Sequence, residues 1–416
     1  MSAHATADVL IVGGGPAGCA AAYWLASRGH DVTVIERRRF PRSKACGDVL
    51  SPRAVAQLRD LGLGGSLQRW HRLDSVVITA HGASRELEWP RHPDLARFGV
   101  TARRRDLDET LAEHAAAAGA RILFGHDAIE PIVERGFVRG ATIRSADGVS
   151  SSVSAPYVVV ADGANSTFGR ALGTFRTRGW PFATAIRSYW PSPRHDDHRL
   201  EVSLDLVDRS GDAIPGYGWV APIGDGTVNV GALVLSTARD IKSLNVAHLL
   251  DEFVDSIATR WDLDPAAVAG VVRVGRIPIG GSVQPTAGPS FLVVGDAAGA
   301  ASPFTGMGVD ASFETARMAA DVIHEALTES GPTALQHYPR RLAERYGEQY
   351  KTGRLSARAL GRPAVMRRYA AAVTHSDTLA AATLRTMLGM LRPGVPAVAE
   401  SAARAASTVL RLAPDA

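Results

Sequence analysis

Three glycines, Gly13, Gly15 and Gly18, stand in the G-x-G-x-x-G spacing directly after an apolar run at 9–12 and directly before an alanine-rich segment. That order reads as strand, tight turn and helix. The first glycine permits the turn, the second lets backbone approach a pyrophosphate, and the third lets helix pack closely on sheet. Pro16 and Ala17 open the helix, whose unpaired N–H groups then face the phosphates. A second apolar run, 32–35, ends in Glu36, near the spacing at which a carboxylate holds the ribose 2′-hydroxyl of a bound dinucleotide. A later apolar run closes on Asp162-Gly163 and suggests a second turn against the cofactor. Thirteen histidines are scattered without ligand spacing, so no metal site is expected. Chain order alone defines no Ser–His–Asp triad.

The elements that must hold these residues belong to two architectures. Residues 37–48 are basic and broken by Pro41, and read as a loop leaving the cofactor end of the sheet. Ser51-Pro52 reads as the cap and first residue of a helix with Val55, Leu58 and Leu61 on one face. From Ser75 to Trp89, alternation around Gly82 suggests a hairpin of another sheet. A helix opening at 103–108 and running to Gly119, a strand at 121–124, a hairpin at 132–143 and a buried strand at 157–161 return to the first. Between about 178 and 276 the chain is strand-rich, with 201–206 and 227–234 as strands and one helix near 246–257. A last buried strand, 291–294, leads to a loop at 303–308 and a helix through Ala311, Thr315, Ala319 and Val322. From Ala334 the pattern is helical and rich in Arg and Ala, broken at Pro363, Pro393 and Pro396.

The fold class expected is therefore α/β: a doubly wound, Rossmann-like cofactor domain with an inserted antiparallel substrate sheet and a helical C-terminal extension. The cofactor domain is assigned to 1–74, 101–177 and 277–330, the substrate sheet to 75–100 and 178–276, and the helical region to 331–416.

At 416 residues, 46% hydrophobic and 21% charged, the chain has the composition of a soluble globular protein of two or three packed units. Lys and Arg total 46 against 42 for Asp and Glu, so the net charge is small and nucleic acid is not implied as a partner. Two cysteines, Cys19 and Cys46, without metal-type spacing point to a reducing, cytoplasmic address. The first residues lack a signal-peptide pattern, and no apolar run reaches the ~18 residues that span a bilayer. Membrane contact is then expected to be peripheral, at the inner face.

Gly13 to Gly18, Glu36, Asp162-Gly163 and Gly295-Asp296 resemble the three fingerprints of flavoproteins with the aromatic-hydroxylase fold. Within that group, Lys44-Ala-Cys-Gly-Asp48, Tyr217-Gly-Trp-Val-Ala-Pro222, Asn229-Val-Gly231 and Pro303-Phe-Thr-Gly-Met-Gly308 resemble the geranylgeranyl reductase family, and most nearly its actinobacterial menaquinone side-chain reductases. The resemblance covers roughly residues 7 to 330. It implies FAD as cofactor, bound through Gly13, Gly15, Pro16, Ala17, Gly18, Glu36, Arg37, Ala45, Cys46, Arg104, Asp162, Asp296, Gly306, Met307 and Gly308. It implies catalytic roles for Cys46, Tyr217 and Trp219.

Several of these residues have a second reading. Asp296 precedes Ala297, Ala298 and Gly299, where its carboxylate can accept hydrogen bonds from ribitol hydroxyls; it can equally cap the helix that follows. Cys46 is a proton donor beside the flavin or a small buried apolar side chain. Cys19, on the first helix, is packing. Arg104 sits near the FAD phosphates or on a solvated basic face. Tyr217 and Trp219 wall the flavin-facing side of the second sheet or fill its core. Gly306 and Gly308 flank Met307 at the pyrimidine edge of the flavin, where a helix N-terminus favours its anionic reduced form. Met307 departs from the acid that relatives commonly carry there.

The implied reaction is reduction of carbon–carbon double bonds in a polyprenyl chain of menaquinone or geranylgeranyl-lipid type. The alternative is an FAD-dependent monooxygenase or oxidase acting on a small natural product, in keeping with Met307 and with Val49 where relatives often have glycine. Trp219 before Pro222 fails the Trp-x-Trp-x-Ile-Pro pattern of flavin halogenases. No second Gly-rich turn follows Gly119, so an external reductant, NAD(P)H or an electron-transfer protein partner, must dock. In the C-terminal region Leu379, Thr383, Met387 and Leu391 recur at helical spacing beside Arg385, Arg392 and Arg404. That face packs on the body, caps a substrate tunnel, or rests on anionic lipid.

Overall fold

The computed structural model describes residues 4–390 apart from Arg209 and Asp240. Its α-helices are α1 (Pro16–Ala26), α2 (Pro52–Asp60), α3 (Arg104–Ala117), α4 (Thr167–Ala171), α5 (Val246–Trp261), α6 (Val309–Glu325), α7 (His337–Leu360), α8 (Pro363–His375) and α9 (Asp377–Met387).

Four apolar runs form a parallel sheet because each is covered on both faces and has no polar side to turn to water. The sheet has five strands in the order Phe291–Val293, Tyr157–Val160, Val9–Val12, Val32–Glu36, Arg121–Phe124. The first four are buried at every position. Helices α1, α3 and α6 cover one face, where the alanines of α1 meet Leu107, Leu111, Phe313 and Ala316. The other face is covered by a small sheet built on the His126–Glu134 and Phe137–Ser145 hairpin, whose Val138 and Ile143 pack on Leu10, Val12 and Val158. Ser51 caps α2 by accepting from the Ala54 N–H at 3.3 Å, with Pro52 at the first helical position.

The second sheet has seven strands in the order Arg273–Pro278, Phe182–Pro191, Thr227–Leu235, Gly216–Pro222, Arg199–Ser203, Ser75–Ala80, Ala83–Glu88. It is antiparallel except where Arg199–Ser203 runs parallel to Ser75–Ala80, so the early hairpin completes a sheet built from residues more than a hundred positions later. The strand expected at 201–206 spans Arg199–Ser203, since the chain then turns into a loop closed by the Ile214 N–H on the Leu206 carbonyl. Helix α5 covers one face. It extends past the expected Ile257 to bury Trp261 and stops at Asp262, whose φ is +49°. A Cβ on Gly218 would lie 2.4 Å from the Phe253 ring, so this strand and α5 approach too closely for any side chain there. Helices α8 and α9 pack over the opposite face, against Val76, Ile78 and Trp219. Of the C-terminal face singled out in the sequence, Leu379, Thr383, Met387 and Arg385 lie on α9, whereas Leu391, Arg392 and Arg404, with Pro393 and Pro396, lie outside the described residues.

Candidate active site

The glycine turn fixes the first part of the site. Gly13 has φ +104°, and a Cβ there would lie 2.4 Å from the Ala161 carbonyl oxygen; one on Gly18 would lie 1.8 Å from the Gly13 oxygen. Gly15 begins α1 with no side-chain cap, which leaves the first-turn N–H groups for a ligand. They open on a cavity of about 680 Å³ that Gly13, Gly15, Pro16, Ala17, Glu36, Arg37, Ala45, Cys46, Arg104, Asp162 and Asp296 all line, a volume in the range of ligand and cofactor sites.

Glu36 is buried, and its carboxylate accepts from the Gly14 N–H at 2.9 Å, the Arg38 N–H at 2.8 Å and Arg42 Nη1 at 3.0 Å. Arg42 also reaches Asp108 at 3.1 Å, and Arg104 holds the same carboxylate with both nitrogens, at 2.8 and 2.9 Å. Arg104 is thus a buried cavity residue and not part of a solvated basic face. Cys19 is buried on α1, as packing requires.

The two later carboxylates differ. Asp162 Oδ2 accepts from the Phe168 N–H at 3.0 Å, while its buried Oδ1 has no hydrogen-bond partner among the described residues. Burial also raises its carboxyl above the usual carboxylate range. An unpaired acceptor in the cavity wall fits a hydroxyl-bearing ligand. Asp296 Oδ2 lies 3.3 Å from Lys44 Nζ, and a Cβ on Gly308 would come within 2.8 Å of its Oδ1. It makes no helix-capping bond, which removes the capping reading. Gly306, at φ +65°, Met307 and Gly308 line the cavity, and Gly308 begins α6 without a side-chain cap.

The loop from Lys44 to Asp48 is clamped to the substrate sheet. Asp48, at φ +61°, accepts from the Tyr189 hydroxyl at 2.6 Å, from Asn229 Nδ2 at 2.8 Å and from the Arg104 N–H at 3.2 Å. Asn229 Nδ2 also donates to the Cys46 carbonyl at 3.0 Å, its Oδ1 accepts from Trp219 Nε1 at 3.0 Å, and Arg187 Nη2 donates to the Lys44 carbonyl at 2.6 Å. Burial pushes the Cys46 thiol above its ordinary value, with the Arg104 guanidinium beside it pulling the other way. The Asp48 carboxyl is raised by burial, partly offset by Arg187. Reading the sequence placed Cys46, Trp219 and Arg104 here but missed Asp48, Tyr189, Arg187 and Arg42 as site residues. The Lys44–Asp48 and Asn229–Gly231 blocks were visible; their mutual contact was not.

Beyond Cys46 the cavity turns apolar. Val76, Ile78, Leu200, Val202 and Leu204 form its sheet wall, Tyr369 and Val373 of α8 with Thr383, Leu384 and Met387 of α9 form the opposite wall, and Tyr217 and Trp219 stand between. Their ring centroids are 6.1 Å apart, and the Tyr217 hydroxyl donates to the Thr305 carbonyl in the loop before Gly306. Of the C-terminal face, Thr383 and Met387 therefore wall the cavity, whereas Leu379 is exposed. No helix among the described residues is long and apolar enough to cross a membrane, and no cluster of His, Cys, Asp and Glu there could hold a metal.

Residues 6–198 match the family model described as an FAD binding domain. The chain is 36% identical over 365 residues to a menaquinone reductase of Mycobacterium tuberculosis, covering 87% of this chain and 86% of that one. It is 30% identical over 366 residues to digeranylgeranylglycerophospholipid reductase 1 of Methanopyrus kandleri, covering 85% and 90%. The crystal structure of a geranylgeranyl bacteriochlorophyll reductase-like protein from Thermoplasma acidophilum shares the fold, with a TM-score of 0.80 at 23% identity over 97% of this chain and 100% of that one. With most of its length aligned to them, the chain belongs to the family of FAD-binding oxidoreductases that includes the menaquinone and digeranylgeranylglycerophospholipid reductases.

Proposed function

We propose that the protein reduces carbon–carbon double bonds in a polyprenyl chain of menaquinone or geranylgeranyl-lipid type. The observation that carries this reading is the continuity of one cavity from the uncapped α1 N-terminus, past Cys46, into an apolar channel closed by α8 and α9. The menaquinone and geranylgeranyl-lipid reductases among its relatives support the same substrate class.

FAD fits the polar half. The α1 N-terminus and Arg42 would meet its pyrophosphate, Glu36 the adenosine ribose, and Asp162 Oδ1 with Asp296 the hydroxyls of its ribityl side, with Gly306, Met307 and Gly308 at the flavin edge. When bound and reduced, the flavin supplies the hydride. The chain supplies the rest. An isolated alkene accepts hydride poorly, so alignment and exclusion of water must lower much of the barrier. The apolar walls do both, since each CH₂ of substrate withdrawn from water contributes about 0.8 kcal/mol to holding the chain in register. Cys46 Sγ, kept protonated by burial, holds the proton for the second alkene carbon, while the Asp48 and Asn229 contacts fix the loop that carries it. Tyr217 and Trp219 narrow the passage between the polar and apolar halves. Electrons come from an external donor, NAD(P)H or an electron-transfer protein.

The test is anaerobic. The FAD-loaded enzyme, reduced with dithionite and mixed with menaquinone or a geranylgeranyl lipid, reoxidises its flavin as the product gains a pair of hydrogens. A flavin that stays reduced with every prenyl lipid, yet forms an oxygen adduct when air is admitted, overturns this reading in favour of a monooxygenase.

A further inference from the structure

Among the described residues, four of the nine exposed large apolar side chains stand within seven positions of one another. Val268, Val271, Val272 and Val274 are 44%, 65%, 44% and 55% exposed; the first three lead into the Arg273–Pro278 strand and Val274 lies at its start. That strand is an outer edge of the seven-stranded sheet. Phe175, 59% exposed, precedes Arg176 on a short strand paired with Val283–Gln284. The Arg176 guanidinium next to it lies 4.7 Å from the centroid of the Phe182 ring, and Arg276 lies 5.6 Å from the same ring. Scattered exposed hydrophobes are ordinary, but a cluster on one face marks an interaction surface.

The two stretches that build this face carry arginine and no carboxylate, although the neighbouring helix α5 exposes Asp251, Glu252 and Asp255. No Asp or Glu occurs between Asp264 and Asp296, nor between Asp162 and Asp196, the stretches that build it. Arg176, Arg273 and Arg276 pair with no carboxylate among the described residues. The cavity also reaches this face. Val274, Gly275 and Arg276 line it, and a Cβ on Gly275 would sit 3.4 Å from the Ala45 methyl, beside the Cys46 loop.

We infer that the 268–276 face docks the protein on an anionic bilayer, with its valines at the headgroup boundary and its arginines on lipid phosphates. This rests on the prenyl-lipid reading above. A long apolar chain that crossed water between bilayer and cavity would expose every methylene on the way. A cavity opening bordered by the exposed Val274 and Arg276, with Val271, Val272 and Arg273 beside them in the chain, shortens that crossing, because apolar insertion and attraction to anionic lipid act together.

The experiment is flotation of the FAD-loaded full chain with vesicles of phosphatidylglycerol and phosphatidylcholine, or of phosphatidylcholine alone. Wild type floats with the anionic vesicles and weakly with the neutral ones. V271D/V272D weakens flotation by about tenfold or more at unchanged flavin content and melting temperature, and Arg273→Glu abolishes the preference for anionic vesicles. If the double aspartate variant loses its flavin, V268S/V271S replaces it with the same expected direction. Failure of wild type to float, or equal flotation of wild type and the folded variants, overturns the proposal. So does light scattering that shows wild type dimeric and V271D/V272D monomeric with flotation unchanged, which makes the face a contact between two copies. Vesicle binding is read without turnover, so this outcome is separate from the reduction of detergent-dispersed lipid that tests the function.

Discussion

The Tyr189 hydroxyl donates to Asp48 Oδ2 at 2.6 Å, joining the substrate sheet to the loop that carries Cys46. Asp48 is buried in a left-handed backbone conformation, and Asn229 reaches the same oxygen from the next strand. A buried carboxylate bonded from two sides fixes the loop only while every partner is present, since losing one strands the others without water.

Asp48→Ala is expected to cost about 2–4 kcal/mol, because Tyr189 and Asn229 are left facing a cavity. Turnover at a temperature where the variant is folded should fall further than stability alone explains, as Cys46 is no longer fixed. Denaturant melts and single-turnover kinetics on one preparation check this.

Asp48 also gives stability a pH dependence. Burial raises its folded-state carboxyl above the ordinary 3.8, so across the window starting at that value the folded chain holds a proton that the unfolded chain has released. The contribution is complete below the unfolded value and is lost as pH rises through the folded one. Asp48→Asn lacks this loss. The difference in melting temperature between wild type and Asp48→Asn should therefore shrink, or turn against wild type, as pH rises; a difference that widens in favour of wild type contradicts it.

Gly13→Val is expected to abolish flavin binding, because its Cβ would lie 2.4 Å from the Ala161 oxygen at a φ of +104°. The check is the flavin-to-protein absorbance ratio after reconstitution, with circular dichroism showing that the remainder folds.

How much of this was legible in the sequence depends on range. Gly13, Gly15, Gly18, Ser51 and the apolar strands act through neighbours a few residues away, so their spacing carries the information. Tyr189 and Asn229 meet Asp48 across separations of 141 and 181 residues, and no local pattern records that. The same holds for the Ser75–Ala80 hairpin strand, whose alternation announces a sheet but not its parallel partner at Arg199–Ser203. Helix α9 lies between these cases. Its periodicity showed an apolar face, yet only the fold shows that Thr383 and Met387 of that face look into the cavity.

Leu384→Trp should fill the apolar channel from the α9 side, where Leu384 lines the wall opposite Val76 and Ile78. Overpacking there costs about 1–3 kcal/mol of stability. Flavin content should be unchanged, while KM rises for long prenyl substrates and changes little for short ones. Equal effects on both chain lengths would place the channel elsewhere.

Cys46 gives the sharpest test of the chemistry. Burial holds its thiol above the ordinary 9.0, so the sulfur stays protonated through neutral pH and the rate should be flat there, falling only on the alkaline side. Cys46→Ala removes the positioned acid, and loss of such a group typically lowers the chemical step by about 10²–10⁴-fold. Cys46→Ala loses the Asp48 N–H contact to sulfur at 3.4 Å, but Asn229 still holds the Cys46 carbonyl and, with Tyr189, the Asp48 carboxylate, so the loop and the bound flavin should survive the substitution. Residual turnover then takes its proton from water. In deuterated solvent, wild type should add deuterium at the second alkene carbon, the one that Cys46 protonates, to a single face, and Cys46→Ala to both faces of that carbon. Retention of a single face with an unchanged alkaline limb would show that the proton comes from another group.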